Sequence, residues 1–186
     1  MPVNAVNDKL GWLAPDFHLK DVSENQMSLD QLRGENGTVV AFICNHCPYV
    51  IGIAERLAFE AKELKKLSIN TIAIMSNDVI QYPEDSYEKM KIFSKKYNFN
   101  FPYLYDETQE VAKNYGAVCT PDIFGFNSSL KLSYRGRIDS GVMKSDEPNI
   151  KRELYDAMVK IKKYDEGPIE QFNSFGCSIK WKSNGQ

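Results

Sequence analysis

Cys44 and Cys47 stand three positions apart in the run CNHCPYV, with His46 before the second thiol and Pro48 after it. Two thiols at this spacing can exchange disulfides, reduce a peroxide or ligate a soft metal ion, and the proline bears on which thiol attacks. If a helix ran on from Asn45, Pro48 would be its fourth residue, where the missing N–H removes the first regular helical hydrogen bond. If the helix begins at Pro48, the absent N–H would have been unpaired anyway. That register makes Cys47 the N-cap. Its sulfur then faces the free N–H groups of Tyr49 and Val50 and the positive end of the helix, which favours thiolate over thiol. His46 adds a neighbour able to carry positive charge near neutral pH. Cys47 is the expected nucleophile. Cys44, at the end of the preceding strand, is the expected partner that closes a disulfide after attack.

Such a site needs a strand ending near Cys44 and a helix starting at Pro48. GTVVAFIC, positions 37–44, is a continuous apolar and β-branched run, suited to a strand buried on both faces in the centre of a mainly parallel sheet. After Cys47 the period changes. Val50, Ala54, Leu57, Ala61 and Leu64 fall at helical spacing, and Glu55, Arg56, Glu60, Lys62 and Glu63 fill the other side. NTIAIMSND, 70–78, is the next strand. Asp85-Ser86-Tyr87-Glu88 opens a helix whose Tyr87, Met90, Phe93 and Tyr97 form a packing stripe, not a cofactor box. FPYLYD, 101–106, is a short strand, and Asp106 caps a helix with Gln109 at the box position and Gly116 at its stop.

Upstream, APDFHLKDVSENQMSL reads as two short strands around a polar turn, with His18 a structural residue of that pair. The spacing from Ser28 to Gln31 is that of a capping box for a short helix through Leu32, stopped by Gly34. Downstream, CTPDIFGFN and KLSYRGRID are paired strands joined at Asn127-Ser128-Ser129. Arg135 and Arg137 on the second strand are expected in surface ion pairs. A last helix bears Ile150, Leu154, Ala157 and Ile161 and ends at Gly167-Pro168. Positions 169–186 read as an irregular tail whose Phe172, Phe175 and Trp181 pack it on the body. Strands alternating with helices, then an antiparallel pair, imply an α/β fold with a central mixed sheet and helices on both faces. We expect one domain over 1–168, with the tail 169–186 against it.

The bulk numbers narrow the function classes. A chain of 186 residues fits one domain, and 42% hydrophobic content is ordinary for a globular one. With 23 basic and 25 acidic residues the net charge is −2, so neither nucleic acid nor a membrane is an expected partner. The opening MPVNAVNDKLGW lacks the basic and apolar regions of a signal peptide, and no run approaches the roughly 18 apolar residues of a membrane helix. The expected location is the cytoplasm. There, four cysteines with one close pair point to catalysis or metal binding rather than to a disulfide scaffold. No cofactor is expected.

VVAFICNHCPYV resembles the strand-to-helix corner of the thioredoxin-like superfamily. Against the F-W-A-x-W-C-P-x-C corner of its lipoprotein-type reductases, Phe42 matches the phenylalanine and Cys47-Pro48 the first Cys-Pro. Val50 falls where the second cysteine belongs, so the second thiol has moved upstream to Cys44. GWLAPDFHLKD, NDVIQYPEDSYEKM, FPYLYDETQEVAKNYGA and CTPDIFGF extend the likeness to the branch of alkyl hydroperoxide reductases and thiol-specific antioxidants, the redoxins. Within that branch, the NHCPYV core and the GCSIKW tail resemble one group. The resemblance implies a three-layer thioredoxin-like sandwich. It also implies a cis peptide at Thr120-Pro121 against the catalytic sulfur, where the residues alone read as a trans proline at a strand start. Cys119 is either a third thiol or a small buried hydrophobe, the commoner fate of free cysteine. Cys177 and Cys119 are the alternative resolving thiols.

Three functions compete. The leading one is a thiol-disulfide oxidoreductase acting on a protein or small-molecule disulfide or thiol. The second is a thiol peroxidase acting on a peroxide. Peroxiredoxins place a threonine three residues before the cysteine and an arginine facing it. Here Cys44 takes the threonine's place, and Thr120-Pro121 stands where the arginine strand begins. The third is a soft-metal carrier using Cys44, His46, Cys47 and Cys119. It ranks last because adjacent His46 and Cys47 reach one ion only with strain and no second ligand cluster follows, so no metal is expected.

Overall fold

The computed structural model describes residues 2–5, 10–143 and 149–183. Its strands are β1 (Pro2–Asn4), β2 (His18–Asp21), β3 (Gln26–Ser28), β4 (Gly37–Phe42), β5 (Ile69–Met75), β6 (Tyr103–Tyr105), β7 (Cys119–Thr120), β8 (Asp122–Phe126), β9 (Leu132–Gly136) and β10 (Phe175–Ser178). The helices are α1 (Leu29–Leu32), α2 (Pro48–Ile51), α3 (Ala54–Lys65), α4 (Tyr87–Lys96), α5 (Glu110–Tyr115) and α6 (Glu153–Tyr164). Positions 1 and 6–9 of the opening, and 184–186 of the tail, lie outside the described residues.

β4 is buried at every position, as its apolar run requires. It runs parallel to β5, with Val40 opposite Ile72, and antiparallel to β8, with Val40 opposite Phe124. The full sheet has seven strands in the order β3-β2-β6-β5-β4-β8-β9. Successive side chains of a strand point to opposite faces, and β4 therefore feeds two cores. Val39, Ala41 and Ile43 pack with Leu57 and Leu64 of α3, Met90 and Phe93 of α4, and Leu154 and Met158 of α6. Val40 and Phe42 pack with Leu29 and Leu32 of α1 and Val111, Ala112 and Tyr115 of α5. The result is the three-layer mixed α/β sandwich anticipated from the sequence. None of the described helices is long and apolar enough to cross a membrane.

Local chemistry explains two boundaries. Ser28 Oγ accepts from the Gln31 N–H while the Gln31 side chain accepts from Ser28 N, completing the capping box. Gly116 closes α5 with φ of 64°, a left-handed conformation that favours glycine.

Other expectations need correction. The helix that starts at Pro48 is two pieces, broken at Gly52 and Ile53. A side chain on Gly52 would crowd the Met143 backbone at 3.1 Å, so a crossing loop occupies the space beside the break. Ser86, not Asp85, precedes α4, and Asp85 turns wholly inward. Asp106 does receive the Ala112 N–H of α5 at 2.9 Å, but Gln109 reaches instead to the carbonyls of Ser76 and Lys180. Ile150 precedes α6 rather than lying in it.

The largest correction concerns the tail. It is not wholly irregular: β10 is the middle strand of a second, three-stranded sheet in the order β1-β10-β7. Cys177 lies opposite Thr120 on one side and Pro2 on the other. A four-residue strand containing glycine carries no readable alternation. Its stability comes from two paired edges and from the anchoring of residues 179–182. Ile179 is buried in the core, Lys180 N donates to Asn77 Oδ1 at 2.9 Å, and Lys182 N to Gln109 Oε1 at 2.8 Å. Gly176 permits the close pairing, since a Cβ there would lie 2.0 Å from the Thr120 carbonyl oxygen.

Replacing Gly176 with alanine is therefore expected to push β10 off β7, lowering stability by about 1–3 kcal/mol as overpacking does. Hydrogen exchange should speed up at amides 175–182 and not in β4. Unchanged protection of the tail amides would show that the close approach is dispensable.

Candidate active site

The chain leaves β4 at Phe42, turns through Asn45 and His46, and enters α2 at Pro48. Cys47 is the N-cap, with φ −69° and ψ 122°, and Pro48 is the first helical residue. The Cys47 side chain makes no capping hydrogen bond of full geometry, only a weak approach from the Val50 N–H, because its carbonyl oxygen receives the N–H groups of Val50 and Ile51 at 3.0 and 2.9 Å. Its sulfur lies 3.2 Å from the Thr120 carbonyl oxygen, and the Cys44 sulfur lies 3.2 Å from the Thr120 hydroxyl. The Thr120–Pro121 peptide is cis. One residue, Thr120, thus touches both sulfurs, and through β10 it faces Cys177.

Two protonation states use these contacts differently. As a thiol, Cys47 donates to the Thr120 carbonyl. As a thiolate it accepts, and the donors around it prevail: its pKa is lowered to about 5. The first cause is hydrogen bonding from the Cys44 thiol. Burial opposes it, and the Cys177 thiol, the Cys177 N–H and the Val50 N–H add to it. The helix end, the sole cause in the sequence argument apart from His46, is a lesser contributor. The partners move the other way. Cys44 is pushed well up by hydrogen bonding to Cys47, by burial and by the charge of Asp85. Cys177 is pushed up to about 11 by burial and by its bond to Cys47. Cys119 is buried, raised by burial, and donates to the Pro121 carbonyl at 3.5 Å.

His46 Nδ1 lies 2.7 Å from Asp85 Oδ2 and its ring stacks on Tyr82. The hydrogen bond to Asp85 raises the imidazole pKa, against partial burial. Asp85 also receives the N–H groups of Asn45 and His46 at 2.7 and 3.3 Å and the Asn77 amide at 2.8 Å. Asp85 is the site residue that sequence reasoning missed. Its place before a serine and a helix made it look like a helix opening, and no periodicity marks a buried carboxylate.

The other candidates lie elsewhere. His18 begins β2, at the far side of the sheet from β4. Arg135 is not a surface residue: it binds the wholly buried Asp122 at 2.9 Å and the Gly116 carbonyl at 2.8 Å. Arg137 grips Glu153 with two hydrogen bonds of 2.6 and 2.8 Å. Among the described residues, Cys44, His46 and Asp85 bring one possible metal-ligand atom each within 4.8 Å of one another. That set differs from the one read in the sequence, lacking Cys47 and Cys119, and the Nδ1 of His46 is already engaged by Asp85.

Comparison with known proteins shows the family. The model of the AhpC/TSA family matches residues 10–138, and the chain belongs to that family. Peroxiredoxin Bcp of Escherichia coli is 27% identical over 128 residues, 69% of this chain and 73% of that protein. The crystal structure of an uncharacterized conserved protein from Geobacillus kaustophilus is 40% identical, with a TM-score of 0.94 over 100% of this chain and 98% of that one. The thioredoxin domain of a thiol-disulfide oxidoreductase from Bacteroides vulgatus has a TM-score of 0.64 at 16% identity, over 83% of this chain and 99% of that one. This last likeness is one of fold, and the fold is thioredoxin-like.

If neighbouring thiols hold the Cys47 charge, Cys44→Ala removes the strongest donor. The ultraviolet thiolate absorbance is expected to inflect near pH 5 in the unaltered protein and, in the variant, at higher pH, toward the ordinary thiol range. An unmoved inflection would return the credit to the helix end.

Proposed function

We propose that this AhpC/TSA-family chain is a thiol-disulfide oxidoreductase in which Cys47 attacks and Cys44 closes the disulfide. The observation that carries the reading is the placement of both sulfurs against Thr120, each at 3.2 Å, with the Cys47 pKa lowered to about 5 and that of Cys44 raised. The Cys47 thiolate attacks one sulfur of a substrate disulfide, forms a mixed disulfide and releases the other half as a thiolate. With its charge gone, Cys47 no longer holds the proton on Cys44. Cys44 then deprotonates, attacks the Cys47 sulfur and expels the second half of the substrate, leaving Cys44–Cys47 oxidised.

Thr120 lies against both sulfurs, its carbonyl accepting from Cys47 while that sulfur is a thiol and its hydroxyl beside Cys44, and Pro121 adds no N–H beside them. The hydrogen bond to Asp85 raises the His46 pKa, which favours a positive charge in the turn before the nucleophile. A stabilised thiolate favours the reduced state, which makes the couple a better oxidant. The substrates are disulfides or thiols, of proteins or small molecules. A reducing compartment such as the cytoplasm would supply the four cysteines as thiols, the state in which the cycle begins.

A second reading, thiol peroxidase, is favoured by one observation. Cys47 is 0% exposed, which suits a small oxidant. The thiolate would attack one peroxide oxygen, releasing the other as alcohol or water. The resulting sulfenic acid would condense with Cys44 and lose water. Against it, Arg135 and Arg137 are engaged with Asp122 and Glu153, and Cys44 stands where a threonine would help polarise the peroxide.

The two readings part when the reduced protein meets hydrogen peroxide or a small disulfide and thiol loss is followed by mass spectrometry. We expect fast loss of two thiols to the disulfide, slow reaction with peroxide, and no reaction of Cys47→Ser with either. Faster consumption of peroxide than of disulfide would reverse the order.

A further inference from the structure

A disulfide oxidoreductase must pass its own disulfide on. An external thiolate does this by reaching one of the two bonded sulfurs. Cys44 and Cys47 are both 0% exposed, as is Cys119. A disulfide closed between the first two offers no exposed sulfur, and an outside thiol, like the substrate disulfide, reaches it only where the cover over Cys47 opens. Of the four cysteines, Cys177 is the one with partial exposure.

Cys177 is also placed to receive the disulfide. The register of β10 on β7 sets it directly opposite Thr120, whose carbonyl oxygen is 3.2 Å from the Cys47 sulfur. Its thiol and its N–H both act on the Cys47 sulfur. The strand is held there from both ends. The Ala5 N–H donates to the Ser174 carbonyl at 3.0 Å, and Lys180 is tied through its N–H to Asn77 and through its carbonyl to Asp78 N. Gly176 lets the strand approach Thr120 more closely than any other residue would allow. Cys119, two residues before the cis proline, directs its thiol at the Pro121 carbonyl instead.

We propose that Cys177 is an exchange thiol that takes the disulfide over from Cys44 and presents it at the surface to an external thiol. The proposal rests on the reading of Cys47 as nucleophile. The Cys177 thiolate attacks the Cys47 sulfur, the Cys44–Cys47 bond breaks, and the Cys47–Cys177 bond forms. The electron pair leaves on Cys44, which regains a proton equivalent to the one Cys177 gave up. No net oxidation occurs in this step. Two thiols of an external reductant, a dithiol or two small thiols, then reduce Cys47–Cys177 and leave as a disulfide.

The surroundings favour that order. With Cys47 in a disulfide, the anion that helps hold the Cys177 proton is gone. Lys180 then promotes the Cys177 thiolate, whereas Asp85 opposes a thiolate at Cys44. The Thr120 hydroxyl, 3.2 Å from the Cys44 sulfur, is placed to donate to Cys44 as it leaves.

The test oxidises the unaltered protein, Cys44→Ser and Cys177→Ser with one equivalent of 2-hydroxyethyl disulfide. The links are mapped by non-reducing digestion, and re-reduction by dithiothreitol is timed. We expect a Cys47–Cys177 link in the unaltered protein and in Cys44→Ser. We expect only Cys44–Cys47 in Cys177→Ser, with re-reduction slowed about tenfold or more, as loss of access does in thiol exchange. Absence of a Cys47–Cys177 link from both the unaltered protein and Cys44→Ser would overturn the proposal, and that mapping holds even if Cys177→Ser loosens the tail. If the unaltered protein loses no thiol at all, to this disulfide or to peroxide, the reading of Cys47 as nucleophile is what fails.

Discussion

A sulfur anion shut away from water must find its hydrogen bonds inside the protein. Burial alone raises a thiol pKa, so the lowering of the Cys47 pKa comes from other groups that turn donors toward it. Those groups come from three separate parts of the chain: Cys44 at the end of the central strand, Val50 in the first helical turn, and Cys177 from the C-terminal strand. The requirement that all three converge explains features that otherwise look unrelated. The helix must start at Pro48 so that Cys47 sits at its cap, and the tail must pair with β7. Gly176 must be bare so that this pairing can be close.

The turn that carries Cys47 is held by a buried carboxylate. Asp85 is fully enclosed and receives hydrogen bonds from Asn45, His46 and Asn77. Removing one partner of a buried charged pair typically costs about 3–5 kcal/mol, because the remaining charge is left without compensation. The same Asn77 uses its other amide atom to receive the Lys180 N–H. One side chain therefore links the carboxylate under the turn to the strap that carries Cys177. Gln109 does the same from the opposite side, joining the Ser76 carbonyl to Lys180 and Lys182. Turn and tail are coupled through side chains, and a shift of either moves the donors around Cys47.

These couplings mark the boundary of what the sequence could reveal. The central layer was legible because burial on both faces demands an unbroken apolar run, and positions 37–44 have one. The start of the helix at Pro48 was legible because proline tolerates few places in a helix. The Ser28 capping box was legible because its chemistry is local. Asp85 was not legible as a site residue, and Cys177 only as an alternative resolving thiol, for a shared reason. Each acts on a residue far away in the chain, Asp85 on His46 and Cys177 on Cys47, and no short-range pattern records such a pairing. The likeness of GCSIKW to a group of redoxins marked the tail as distinctive without saying that it forms a strand beside Thr120.

The position of the second thiol ties these points together. Had it followed Cys47 into the first helical turn, it would stand at position 50, which a valine fills at 0% exposure within the core. Moved upstream to Cys44, the thiol lies at the end of a strand buried on both faces, next to the Thr120 hydroxyl and near the Asp85 charge. That location makes it a strong donor to Cys47, since its own proton is hard to lose. The same location encloses any disulfide it forms. A partly exposed third sulfur, carried in by the tail, is the structural complement of that choice: the thiol that tunes Cys47 is buried, and the one that meets solvent is brought to it by a separate strand.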